Sequence, residues 1–198
     1  MNPPHLKVWL VLGTIAVSCV SACGSSPPLR YYTLEPQPGS TPAPVSNAPP
    51  ASPLQVQRVT IPPELERRGL VQHIAAGQVR IWDSDSWAAP LDDLIARTVA
   101  ADLAIRLGAA SVADASEPAN GASRRLLFLD VIELSVDPAC ALTLRVAWTL
   151  RQPNAPDQRA TESIEAPPAA ACPAGMAPTI SRALGQLSDR IAAAVSAR

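Results

Sequence analysis

Seven prolines fall between residues 36 and 53, interspersed with Ser, Ala, Thr and Gln. A proline has no N–H to give to a ladder, so no sheet passes through this stretch. The chain is therefore divided into a short N-terminal part and a body, beginning near Leu54, that must supply its own core. The stretch itself reads as a semi-rigid, solvated linker or loop, with a reach of roughly 55 Å if fully extended.

Upstream, one basic residue, Lys7, precedes an apolar run from Val8 to Cys19. As a helix this run would reach about 18 Å at about 1.5 Å per residue, against roughly 30 Å of hydrocarbon core. It suits a secretory leader better than a spanning helix. The run ends in Val20-Ser21-Ala22-Cys23, which resembles the bacterial lipobox. That resemblance implies a signal peptide over 1–22 and a lipidated Cys23, carrying palmitate-like acyl chains, as first mature residue. More than one chain is needed for stable anchoring, and an acylated cysteine supplies them without a transmembrane helix. An ordinary leader cut near Ala22 would instead leave a stray cysteine. Gly24, in place of Asp, lacks the usual inner-membrane retention signal. The expected location is the inner leaflet of the outer membrane, with the body in the periplasm.

Composition removes several kinds of chemistry. Lys7 is the only lysine, so the mature chain has no Schiff-base lysine and no P-loop lysine; fifteen arginines face seventeen acids, which is no nucleic-acid binder. No HExxH, GxSxG, GxGxxG or CxxC pattern occurs. His73, in an apolar segment, reads as a satisfied structural histidine, so a hydrolase built on it is the weakest reading. Asp83, Asp85, Asp92 and Asp93 could suggest a metal, but short carboxylates also serve turns and helix starts. No enzyme activity, cofactor or metal is expected.

The segment Arg30–Leu34 is rich in strand formers and reads as a short strand within an N-terminal segment, 23–53. The body, 54–198, shows strands at 54–61, 70–75, 78–82, 126–134, 141–150 and 161–165. A helix over 90–107 starts at Pro90 and stops at Gly108. Its core stripe includes Leu91, Leu94, Ile95, Val99 and Leu103; Arg97, Arg106, Asp92, Asp93 and Asp102 mark its wet side. Residues 111–123 read as a loop. The final helix, 178–197, carries a stripe from Ile180 to Val195. These elements give a single-domain α+β fold: a mixed or antiparallel sheet with two helices on one face.

Two further cysteines, Cys140 and Cys172, would pair in an oxidising periplasm, although two unrelated buried thiols would also fit. If strands 141–150 and 160–167 form a hairpin about Ala155-Pro156, these cysteines lie opposite each other, within disulfide range.

Four features, in order, carry a resemblance to a family. Cys23 is followed by Tyr31-Tyr32-Thr33-Leu34, and Val59-Thr60-Ile61-Pro62 leads into Leu65-Glu66-Arg67 and Leu70-Val71. Val79-Arg80-Ile81 precedes Trp87-Ala88-Ala89-Pro90-Leu91, and a closing helix contains Ser181-Arg182-Ala183-Leu184. Together they resemble the PqiC/YmbA-type ABC-transport auxiliary lipoproteins. The resemblance implies a non-catalytic subunit beside an ABC permease, its ATPase and an MCE-type protein, moving lipids between two membranes. It also implies ring-like homo-oligomers. A structural lipoprotein of envelope assembly, without a transporter, is the alternative. Trp82 and Trp87 are candidate partner contacts, because tryptophans are enriched at interface hot spots; otherwise both rings would cap the core.

Overall fold

A computed structural model describes residues 28–39, 52–113, 124–153 and 155–196. The expected signal peptide, Cys23, most of the proline-rich stretch and most of the 111–123 loop lie outside the described residues. The elements are β1 (Arg30–Tyr32), β2 (Leu54–Thr60), β3 (Gly69–Ala75), β4 (Gln78–Trp87), α1 (Leu91–Leu107), β5 (Arg125–Val136), β6 (Leu142–Gln152), β7 (Ala155–Ala166) and α2 (Met176–Ser196). Their order is the one that the apolar patterns predict. Among the described residues no helix is long and apolar enough to cross a membrane.

The strands form two sheets where one was expected; the α+β class is unchanged. One sheet has the order β1-β4-β3, the other β2-β5-β6-β7. The division falls at Pro62-Pro63. There β2 gives way to a single 3-10 turn over Pro63–Leu65, and β3 then pairs with β4 rather than continuing beside β2. β2 lies parallel to β5, and β1 lies parallel to β4, each inserted beside a strand distant in sequence. The helices stack on the second sheet: α1 packs on β2 and α2, and α2 on β7 and β6.

In β6, Leu142, Leu144, Val146, Trp148 and Leu150 are buried at alternate positions, the pattern of a strand with one face in the core. Ile180, Ala183, Leu184, Leu187, Ile191 and Val195 form the buried stripe of α2. Pro90 sits just outside α1, whose first turn carries Asp92 and Asp93; Gly108 closes it at φ 90°, a region that favours glycine. Two strands run furthest beyond expectation. β4 continues through Trp87 because β1 pairs along Asp85–Trp87, and β7 begins at Ala155.

Cys140 and Cys172 are joined in a disulfide with Cα atoms 5.6 Å apart. The hairpin register nevertheless differs from the one that suggested it. Leu142 opposes Ala166, and Gln152 opposes Ala155, so the hairpin closes beyond Gln152, ahead of the expected Ala155-Pro156. The cysteines are thus not cross-strand partners. Cys172 returns on the connection after β7 and meets Cys140 in the turn after β5, where Asp137 accepts the Cys140 and Ala141 N–H groups at 3.0 and 2.8 Å. Cys140 is fully buried at φ 69°. In the chain-entropy account, closing a loop with a sequence separation of 32 stabilises by about 3.7 kcal/mol. Reduction should therefore lower the urea midpoint substantially. Thiol titration of the denatured, unreduced chain should find neither sulfur free.

Candidate functional site

The described residues upstream of the proline-rich stretch do not hang free. Residues 28–39 form a strap across the body, fastened at two places. The first is the edge of β4. Arg30 Nη2 donates to Asp85 Oδ2 at 2.9 Å, and Arg30 Nε lies 2.8 Å from Asp85 Oδ1. The Tyr32 hydroxyl donates to Asp85 Oδ1 at 2.8 Å. Asp85 is only 1% exposed, so a cation and a hydroxyl together satisfy a carboxylate that water does not reach. Burial, and then the bond to Asp85, raises the Tyr32 pKa above its ordinary value. The bond to Asp85 is also the main cause that raises Arg30.

The second fastening lies between the helices. Past Leu34, which is buried in the core, Glu35 N–H donates to Ser181 Oγ at 3.1 Å. Gln37 N–H donates to Asp102 Oδ1 at 2.6 Å. Arg106 then uses all three nitrogens of its guanidinium. Nε donates to Asp189 Oδ1 at 2.6 Å, Nη1 to Asp102 O at 2.9 Å and Gln37 O at 3.2 Å, and Nη2 to Gly185 O at 2.9 Å and Pro38 O at 3.5 Å. Its five donors are thereby engaged, the condition under which a guanidinium can leave water. Asp102 Oδ1 is 3.5 Å from Arg106 Nη1, and Ser188 Oγ is 3.4 Å from Asp102 Oδ2. Burial raises the Asp102 pKa, against the opposing Gln37 N–H, Arg106 and Ser188. Gly185 lets the strap pass, since a Cβ there would lie 2.7 Å from Gln37 Cβ.

This network corrects the expected wet side of α1. Asp102 is fully buried and Arg106 6% exposed, because α1 is covered by α2 and the strap as well as by β2. A sequence signal was available: Asp102 and Arg106, four residues apart, continue the line of Ile95 and Thr98, all buried. Ser181, Gly185 and Ser188 likewise interrupt the apolar face of α2.

The strap also changes the role of the proline-rich stretch. Residues 40–51 join two points held on the body, Pro38 and Ser52, whose carbonyl accepts from Arg125 Nε at 3.1 Å. The chain is thus held to the body on both sides of that stretch.

The other expected residues are scattered. Trp87 is 4% exposed and packs in the core; its position there follows from β4 continuing to the start of α1. Trp82 is half-buried against the same core, its indole N–H enclosed, with the Arg80 guanidinium 5.4 Å from the ring centroid. His73 is a half-buried residue of β3, but its Nδ1 makes no hydrogen bond, so it is not the satisfied histidine expected. Asp83 and Asp85 lie in β4 rather than in a turn. Among the described residues no cluster of His, Cys, Asp or Glu could hold a metal. A cleft of about 360 Å³ between strap and α2 is lined by Tyr31, Thr33, Glu35, Ala177, Ser181 and Arg182, among others, with no histidine or cysteine on its walls.

Replacing Arg106 with Met should cost about 3–5 kcal/mol, since Asp102 stays buried without its cation. Arg106→Met with Asp102→Leu should recover much of that loss. Urea unfolding of both variants measures the difference.

A family model described as ABC-type transport auxiliary lipoprotein component matches residues 32–192. No curated protein matches the chain. A crystal structure of an uncharacterized protein superposes with a TM-score of 0.71 at 20% identity, over 85% of this chain and 99% of that one. Protein XCC0632 from Xanthomonas campestris, of the DUF330 family, superposes with a TM-score of 0.61 at 16% identity, over 84% and 94%. At these identities the structures show a shared fold.

Proposed function

The chain belongs to the ABC-type transport auxiliary lipoprotein components, and from that premise we propose that it is the non-catalytic, lipid-anchored subunit of an ABC/MCE-type system carrying lipid between inner and outer membranes. In this reading Cys23 carries the acyl chains. The body stands in the periplasm at the inner leaflet of the outer membrane, beside an MCE-domain protein and the permease and ATPase of the transporter. Copies of the chain form a ring, and the assembly supports membrane integrity.

The observation that carries the proposal is the fastened strap. A lipid anchor bears on a subunit's position only if the residues after it are fixed to the fold. Here they are fixed first at Arg30, seven residues after Cys23, by Asp85, and then at Gln37 by Arg106. The Cys140–Cys172 disulfide is in keeping with an oxidising compartment. The cleft beside the strap offers polar and apolar walls but no paired nucleophile and base, which favours a binding role over a reaction.

Crosslinking in the intact envelope, followed by purification in mild detergent, tests the partners. The wild-type chain should bring down MCE-domain and permease components, and Cys23→Ser should lose the membrane fraction and these partners together. A chain that purifies only with cell-wall or outer-membrane assembly proteins would point to a structural lipoprotein instead.

A further inference from the structure

The strap also sets which side of the body meets the membrane. Four residues separate Cys23 from Pro28, five Cα–Cα steps, so an acylated Cys23 lies within about 18 Å of Pro28 even when the chain is fully extended. Because β1 is parallel to β4 with Arg30 opposite Asp85, moving back along the strap means moving along β4 toward Gln78 and the β3–β4 turn. From the level of Asp83 to Gln78 is five strand residues, about 17 Å. At full extension the tether is long enough to bring Cys23 to the level of that turn.

That end of the body is apolar and uncovered. Ile74 is 36% exposed, Val79 46% and Ile81 40%, three of the seven large hydrophobic side chains exposed among the described residues; a fourth, Leu29, is 62% exposed where the strap leads toward this end. A single exposed apolar side chain needs no explanation, but three at one end of a hairpin do. Arg80, stacked on Trp82, adds the pairing of a cation with an aromatic ring that suits a headgroup boundary.

We propose that the end of the β3–β4 hairpin is the membrane-facing surface of the body, with Ile74, Val79 and Ile81 seated in the headgroup layer of the leaflet that holds the acyl chains. This rests on the anchor reading at Cys23. A lipid surface is the occupant because the tether brings it within reach of this end, whereas nothing in the tether brings a protein partner there.

The test uses the full acylated chain with Val79→Cys, labelled with a fluorophore while Cys140 and Cys172 remain disulfide-bonded. It is reconstituted into phosphatidylethanolamine–phosphatidylglycerol vesicles with a nitroxide on the headgroup. Arg159→Cys serves as control. That residue is exposed near the β6–β7 turn, at the opposite end of the second sheet from Asp137, whose carbonyl Gln72 of β3 reaches at 2.9 Å. The Val79 label should lose most of its emission and the Arg159 label little. Acylated protein whose Val79 label is no more quenched than the Arg159 label would overturn the orientation alone. So would a disulfide between unlabelled Val79→Cys copies, which would identify a second chain as the occupant. Mature protein whose Cys23 peptide carries no acyl mass would overturn the anchor reading, and the orientation with it.

Discussion

Arg106 is the point on which the two halves of the architecture converge. Its guanidinium bonds to its own helix at the Asp102 carbonyl, to α2 at Gly185 and Asp189, and to the strap at Gln37 and Pro38. Each contact is modest by itself. What gives the set its weight is burial: a cation and a carboxylate removed from water must keep every donor and acceptor occupied, or the site becomes costly. The network therefore requires the strap. Without residues 37 and 38, Arg106 loses two acceptors and Asp102 loses the Gln37 N–H. Fold and N-terminal segment are coupled by this requirement rather than by a large apolar contact.

This coupling changes how a lipid anchor would act. A free linker of the kind that the prolines suggest would let the domain wander. A strap held at Asp85 and again at Arg106 leaves six residues between Cys23 and Arg30, the first residue fastened. A subunit anchored in this way would have its face toward the membrane set by its own fold, leaving the opposite surfaces for protein partners.

Much of the architecture could be read from apolar spacing. The alternation in β6 and the stripe of α2 were visible because one face of each element meets the core and the other meets water, the circumstance in which periodicity reports burial. The two-sheet arrangement was not, since β1 and β2 pair with strands far along the chain and parallel pairing leaves no turn signal. Asp102 and Arg106 were misread for a related reason. Charges usually mark solvent, and only the tertiary covering by α2 and the strap makes them core residues. Trp87 shows the converse: a tryptophan beside a helix start resembled a contact patch and proved to be interior. The Cys140–Cys172 pairing was legible from an expected oxidising compartment and from number, while its register was not, because Gln152 pairs with Ala155 and Cys172 comes back on a separate connection.

Hydrogen exchange at the backbone amides of Glu35 and Gln37 tests the fastening of the strap most directly. The Glu35 amide is held by Ser181 Oγ, and the Gln37 amide by Asp102 Oδ1 beside Arg106. They should exchange as slowly as amides of α1 and β5, and Arg106→Met should speed them. Exchange at the rate of an unstructured peptide in the intact chain would show the strap to be free, and with it the account of how this fold is held to its anchor would fail.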